Sequence, residues 1–368
     1  MKKHVLLASA LLMPAFAIAQ EKKPTANITG FLALDIFKWV KKEGSREEMN
    51  IGIGTINVDA RARNGGTSLK IKLDLDGALG SRNTIFEEAT ITQEVAEGLS
   101  FTAGKGVVPF HQKHYGVIKD SYVDGGTVVG NYYWNYGDQD RRYLLGVTTR
   151  FENIKNSTTF FAEAAYEPTK AWTFDADEEE LTNAASREDV YEDNKGFDPR
   201  KHHGFANKTE VQITNELKVA FAGLYSWNKI NPHDNYAVVT SGIYEIPNVL
   251  EAWCEVQYGH SSSYRRGFKE KEEVVAQLGA DVYLTPLFSV LANAETANFA
   301  FKKLKSGSYI PVEGVLSKIE AGVATHFSEK ATWTNGFLYE VGEVKENGIT
   351  KTTGRTGQQF TSTFTFSF

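Results

Sequence analysis

Gly259-His260-Ser261 sets an imidazole beside a hydroxyl, the two groups from which a nucleophile and its base are made. Neighbours on an extended strand point to opposite faces, so His260 cannot readily take the Ser261 proton. No Gly-x-Ser-x-Gly turn, His-Glu-x-x-His pair or Gly-rich phosphate loop with a following Lys-Ser/Thr occurs in the chain. The lone Cys254 shares its parity with Leu250, Ala252, Val256 and Tyr258, which reads as an inert thiol on an apolar face and excludes an intramolecular disulfide. These residues point away from an enzyme and imply no cofactor.

Metal chemistry is the next candidate. Residues 168–203 hold ten carboxylates, among them Asp175, Asp177, Glu178, Glu179, Glu180 and Asp198, and clustered hard oxygens suit Ca²⁺ or Mg²⁺. Asp175-x-Asp177-x-Glu179 lacks the glycine and the twelfth-position glutamate of an EF-hand loop. His202 and His203 are adjacent rather than four apart. A solvated acidic loop with no assigned metal is the favoured reading, with divalent cations left open.

Fixed charge on alternating segments is the third pattern. Arg61, Arg63, Lys70, Lys72, Arg142 and Arg150 fall on the polar parity of alternating segments, and ladders of charge tune which ions pass a pore. The elements that position them have period two almost throughout. Leu69, Ile71, Leu73 and Leu75 alternate with Lys70, Lys72, Asp74 and Asp76; Val274, Ala276, Leu278, Ala280, Val282 and Leu284 also share one parity. Sixteen strands are expected: 27–39, 51–63, 67–77, 83–95, 99–107, 142–152, 157–167, 204–213, 217–229, 235–246, 249–261, 272–284, 286–301, 313–327, 330–343 and 357–368. Weak segments leave 14 or 18 as alternatives.

Tight connections alternate with mostly longer ones, the rhythm of an antiparallel barrel with short turns on one rim and loops on the other. Several segments sustain alternation for ten residues or more, as a tilted membrane strand must and a ~5–6-residue sandwich strand need not. Aromatics gather at segment ends, as in Phe37 and Trp39, Tyr225 and Trp227, or Phe327 and Trp333, like interfacial girdles. In the last segment Phe360, Phe364, Phe366 and Phe368 face one way, while Thr361, Thr363, Thr365 and Ser367 face the other. The expected fold is therefore all-β, a transmembrane antiparallel barrel of about sixteen strands.

Residues 1–19 have a basic start at Lys2 and Lys3, an apolar run and small Ala17 and Ala19, the layout of a secretory signal peptide; residues 20–368 would form the barrel. Removing Lys2 and Lys3 takes the net charge from −6 to −8, and no basic excess points to nucleic acid. No stretch after the signal approaches the ~20 apolar residues of a spanning helix.

Phe86 to Phe110, with Ala103-Gly104-Lys105 before Val108-Pro109-Phe110, resembles the Gly-Lys-x-x-x-Pro-Phe-Gly segment of porin-like outer-membrane barrels, including siderophore-porin relatives. His111 stands where those often have glycine, and the Pro-Glu-Phe-Gly-Gly phrase of enterobacterial porins is missing. A terminal strand ending in Phe368 likewise resembles the assembly signal of bacterial outer-membrane proteins. The resemblance implies a Gram-negative outer membrane, lipid and barrel-assembly machinery as partners, and passive diffusion of small hydrophilic solutes and ions. It also implies a long third loop, 108–141, that folds inward, and it leaves a homotrimer open. By analogy Asp120 and Asp124 on that loop would face the basic residues, and Tyr132, Tyr133 and Trp134 would contact solute. Two alternatives stand: a substrate-selective channel for a siderophore or sugar, and a closed structural or recognition barrel.

Overall fold

The structure, a computed structural model, describes residues 24–42, 48–75, 86–110, 142–162, 172–175, 180–183, 202–228, 234–261, 268–305, 307–353 and 357–368. Alternating sequence gives strands in chain order: β1 (Thr25–Lys42), β2 (Glu48–Asn64), β3 (Thr67–Asp74), β4 (Phe86–Ala96), β5 (Leu99–Gly106), β6 (Arg142–Phe151) and β7 (Ile154–Ala162). Then come β8 (Trp172–Asp175), β9 (Glu180–Asn183), β10 (His202–Gln212), β11 (Leu217–Asn228), β12 (Asp234–Ile246) and β13 (Leu250–Ser261). The chain continues through β14 (Phe268–Thr285), β15 (Phe288–Lys305), β16 (Ser308–Ser328), β17 (Ala331–Glu346), β18 (Ile349–Thr353) and β19 (Gly357–Ser367). No helix among the described residues is long and apolar enough to cross a membrane.

Each of the sixteen expected segments overlaps one observed barrel strand. Each strand pairs antiparallel with its sequence neighbour, β7 pairs with β10, and β19 pairs with both β17 and β1, which closes the ladder. Sixteen strands make the barrel; β8 and β9 form a separate hairpin, and β18 pairs only along the end of β17. Those three short strands are additions to the expected set.

A closed sheet has one convex and one concave face, so side-chain parity becomes an outside and an inside. Along β15 the outward Phe288, Val290, Ala292 and Ala294 are exposed, while the inward Leu291, Asn293, Glu295 and Ala297 are buried. The same inversion runs along β14, where Val274, Leu278 and Val282 face out and Glu273, Gln277 and Asp281 are buried within. Apolar outside and polar inside is the pattern a barrel in lipid requires.

The outer face also carries aromatic belts. Toward the long-loop rim, Phe160, Phe205 and Trp227 follow one another at centroid distances of 5.1 and 5.7 Å, and Tyr236 stacks on His260 at 4.9 Å. Phe288, Phe327, Trp333 and Phe366 mark the opposite, short-turn rim. Strand length is uneven around the ring. The 21 residues of β16 reach about 50 Å at the usual tilt, well beyond an apolar band ~25 Å tall, whereas the 8 residues of β3 reach about 20 Å.

β1 and β19 close the ring along a ladder of pairs from Phe31 with Ser367 to Lys42 with Gly357, and one further pairing, of residues 338 apart in the chain, ends the seam. Gly30 N donates to the Phe368 carbonyl at 2.8 Å, and Phe368 N donates back to the Gly30 carbonyl at 3.0 Å. The Phe368 ring lies over Gly30, where an added methyl group would come within 2.0 Å of its Cζ. Only glycine leaves room for that ring.

Two measurements check this frame. Phe368→Asp and Gly30→Leu should each lower the yield of heat-modifiable, folded protein in the outer membrane; wild-type yield from both would refute the closure described. Ile71 faces out and Lys72 faces in. Ile71→Arg should therefore cost ~2–4 kcal/mol of folding free energy in lipid vesicles, and Lys72→Gln should cost little and change ion selectivity instead. Equal destabilisation by the two would contradict the register.

Candidate functional site: the inner wall

The inner wall divides into three sectors, each set by which residues occupy the inward parity. On β2 to β7 it is basic. Arg61 stands opposite Lys70, and Arg150 opposite Lys155, in the cross-strand register. Arg61 and Arg63 have side chains 64% and 62% exposed, so they reach open water. Their charge is partly balanced at the wall: Arg61 lies 3.6 Å from Asp59, Arg63 lies 3.6 Å from Glu94, and Lys70 donates to Glu88 at 2.6 Å. Lys155 likewise meets Glu210 at 2.5 Å, and Lys208 lies 3.5 Å from the same carboxylate.

The expected basic residues do not lie at one level. Arg61, Arg63, Lys70 and Arg150 are within a few residues of the short turns at 65–66 and 152–153, with Lys72 somewhat above. Arg142 begins β6 at the opposite end, on the inward parity and paired with Gly106. The register thus brings together five of the six and separates Arg142 from them.

On β13 to β17 the inward parity is acidic. Glu255, Gln277, Glu295, Lys318 and Glu340 form one cross-strand row. Glu273 lies nearer the long-loop rim, and Glu251 and Asp281 face each other near the short turns. Within the set Lys318 sits 3.4 Å from Glu340, and farther up Lys303 sits 3.8 Å from Glu346. Glu255, Glu273 and Asp281 are each about 1% exposed, in contrast to the guanidiniums across the lumen. In the ring of sixteen, β5 and β15 are eight steps apart in either direction, so the acidic and basic sectors oppose one another.

From β6 to β12 the inward parity also carries an apolar patch. Leu144 on β6, Phe161 on β7, Ala206 on β10, Ala222 and Leu224 on β11, and Ala237 and Val239 on β12 form a buried cluster with Val108 and Phe110. Val108 and Phe110 come from the segment that leaves β5. Gly104, at φ +137°, takes a backbone conformation closed to other residues, and a methyl group there would lie 2.1 Å from the Ala89 carbonyl oxygen. Beyond that kink the chain lays its two large apolar side chains against the concave face.

Asp120, Asp124, Tyr132, Tyr133 and Trp134 lie outside the described residues, as do residues 1–19 and the side chains of 168–201. Phe368 is at the closure. His260 faces out against Tyr236, and Ser261 is on the inward parity, so the two do not meet. His203, expected at an exposed loop, belongs to β10 and stacks on Phe160 at 5.8 Å in the outer belt. Cys254 is a free, exposed thiol on the outer face. Among the described residues no group of three or more His, Cys, Asp or Glu is placed to hold a metal. The acidic sector was not anticipated, although its signal was available as Glu251 and Glu255, or Glu273 and Asp281, on the polar parity of strands already delimited.

No family model matches the chain, and no curated protein sequence does either. Solved structures share its fold. OmpT, an outer membrane protein of Vibrio cholerae, is 14% identical with a TM-score of 0.61, over 96% of this chain and 100% of that one. The anion-selective porin from Comamonas acidovorans is 12% identical with a TM-score of 0.61, over 94% of this chain and 100% of that one. The outer membrane channel DcaP of Acinetobacter baumannii is 9% identical with a TM-score of 0.60, over 95% and 99%. At these identities the likeness establishes the barrel fold.

Phe110→Ala should cost roughly 3–5 kcal/mol of whatever holds the 107–110 segment to the wall, the usual cost of emptying a buried phenylalanine site. Limited proteolysis of the folded variant should then cut after Gly106 faster than in wild type. An unchanged cleavage rate would show that the contact does not anchor this segment.

Proposed function

We propose that the chain is an outer-membrane diffusion channel of the porin kind, passing small hydrophilic solutes and ions through a water-filled lumen without an enzymatic step. The observation that carries this reading is the closed sixteen-strand ladder with an apolar outer face and a charged inner face. The names of structural neighbours support it: one is an outer membrane protein, one a porin and one an outer membrane channel. Residues 1–19 would direct export, and the Phe368 strand would be read by the barrel-assembly machinery. A homotrimer is the assembly we favour, supported by the trimer form recorded for Vibrio cholerae OmpT.

Within the lumen, the basic residues Arg61, Arg63, Lys70, Lys72, Arg142 and Arg150 would line one side of the path. Burial of Val108 and Phe110 at its start supports an inward course for the third loop, 108–141. Asp120 and Asp124 would then add negative charge at the constriction, and Tyr132, Tyr133 and Trp134 would offer aromatic contacts to solute. Opposed charges across a narrow, low-dielectric passage focus the field and are screened less than at an open surface.

In planar bilayers the folded protein should give ohmic single-channel conductance, and deleting residues 125–138 should raise that conductance and admit larger solutes. Absence of conductance from folded protein would overturn the channel reading. Conductance that the deletion leaves unchanged would place the constriction elsewhere.

A further inference from the structure

Midway along the acidic sector, buried carboxylates and side-chain amides lie on the inward parity of β13 to β15, with Lys318 next in the row on β16. The Gln277 amide nitrogen donates to Glu295 Oε1 at 3.2 Å, and the Asn293 amide nitrogen donates to the same oxygen at 2.9 Å. These two bonds orient both amides, which a lone amide would leave ambiguous. They also leave the carbonyl oxygens Gln277 Oε1 and Asn293 Oδ1 buried without a hydrogen-bond partner. Gln257 goes further: it is 0% exposed, and neither its oxygen nor its nitrogen has a hydrogen-bond partner. Buried polar groups in folded proteins are paired, and an exception calls for an explanation.

The register gathers these exceptions. Glu255, Gln277 and Glu295 occupy one row across three strands, Gln257 is the next inward residue after Glu255 on β13, and Asn293 is the inward residue before Glu295 on β15. We propose that this row is a subsite for a positively charged solute group that is a hydrogen-bond donor only, an alkylammonium or a guanidinium. The inference rests on the channel reading, because a solute must reach the inner wall from water. An ammonium has three N–H donors and a guanidinium five, with no acceptor on either, so both complement a surface of carboxylates and amide oxygens. An anion would instead face the Glu255 and Glu295 carboxylates, with the Gln257 amide nitrogen and Lys318 as the donors nearby. A bare metal ion is less well matched, since no group of three or more His, Cys, Asp or Glu is placed to hold one among the described residues. Trp253, the inward residue before Glu255, lies over Gly279 and brings an aromatic ring beside the row, where cations are also attracted.

The test compares two cations of similar size in planar bilayers containing the full folded protein: methylguanidinium, which carries N–H donors, and tetramethylammonium, which carries none. Reversal potentials under salt gradients give their permeabilities relative to chloride, after correction for aqueous mobility. Wild type should favour methylguanidinium over tetramethylammonium by about threefold or more. Gln257→Met with Asn293→Leu should bring that ratio toward one. The isosteric pair Glu255→Gln and Glu295→Gln should lower both cations relative to chloride by about threefold. Cys254→Ser, on the outer face, should match wild type. Equal permeability of the two cations in wild type, or no change in the variants, overturns the subsite and leaves the channel standing. No conductance in any folded sample overturns both.

Discussion

The pairing of β1 with β19, which ends in the reciprocal hydrogen bonds between Gly30 and Phe368, is the constraint on which the rest of the structure depends. A sheet of sixteen strands left open would present two edges of unpaired amides and carbonyls, and in a hydrocarbon environment those groups have no other partners. Closing β1 on β19 removes both edges at once. It also turns period-two alternation into a partition between outside and inside, which an open sheet does not impose. A one-residue slip at the seam would exchange the faces of every residue on the slipped strand. The ring of Phe368 seated over Gly30 opposes such a slip by shape, since no other side chain at position 30 leaves it space.

With an apolar outer face, burial and polarity are inverted relative to an ordinary core, and this decides what could be read from the chain. Leu69, Ile71 and Leu73 announce β3 because they alternate with polar residues, and each lies in the outward register found. The same signal fails where the apolar band ends. On β14 to β17 the ladder continues through 268–271, 302–305, 308–312 and 344–346, where outward positions include Lys302 and Lys345. Above the apolar band the outer face has no need of hydrophobic residues, so strand and loop look alike in sequence. The five-residue β18 and the four-residue β8 and β9 are too short for any period to show.

The acidic sector was harder to see for a different reason. Glu255, Glu295 and Glu340 are each an unremarkable inward residue on a separate strand, and only cross-strand register over 85 residues sets them in one row. Of the basic residues, by contrast, Arg61, Arg63, Lys70 and Lys72 come from β2 and β3, joined by one tight turn, so their proximity follows from local alternation. Asp120 and Asp124 stand four residues apart in one long connection, whereas the wall carboxylates are dispersed among ordinary strands.

The two charged sectors differ in their access to water, and that difference shapes how each can act. Arg61 and Arg63 extend into solvent, where counter-ions and a high dielectric moderate them to ~1 kcal/mol per close pair. Glu255, Glu273 and Asp281 are packed, so fields from them reach their neighbours with less screening. Raising salt should therefore weaken the basic side of the transverse field before the acidic side. The apolar patch is indifferent to salt, since Val108 and Phe110 are held by removal of apolar surface from water and not by charge. The contact that seats Val108 and Phe110 is thus hydrophobic while the flanking walls are ionic, and salt acts on the two differently.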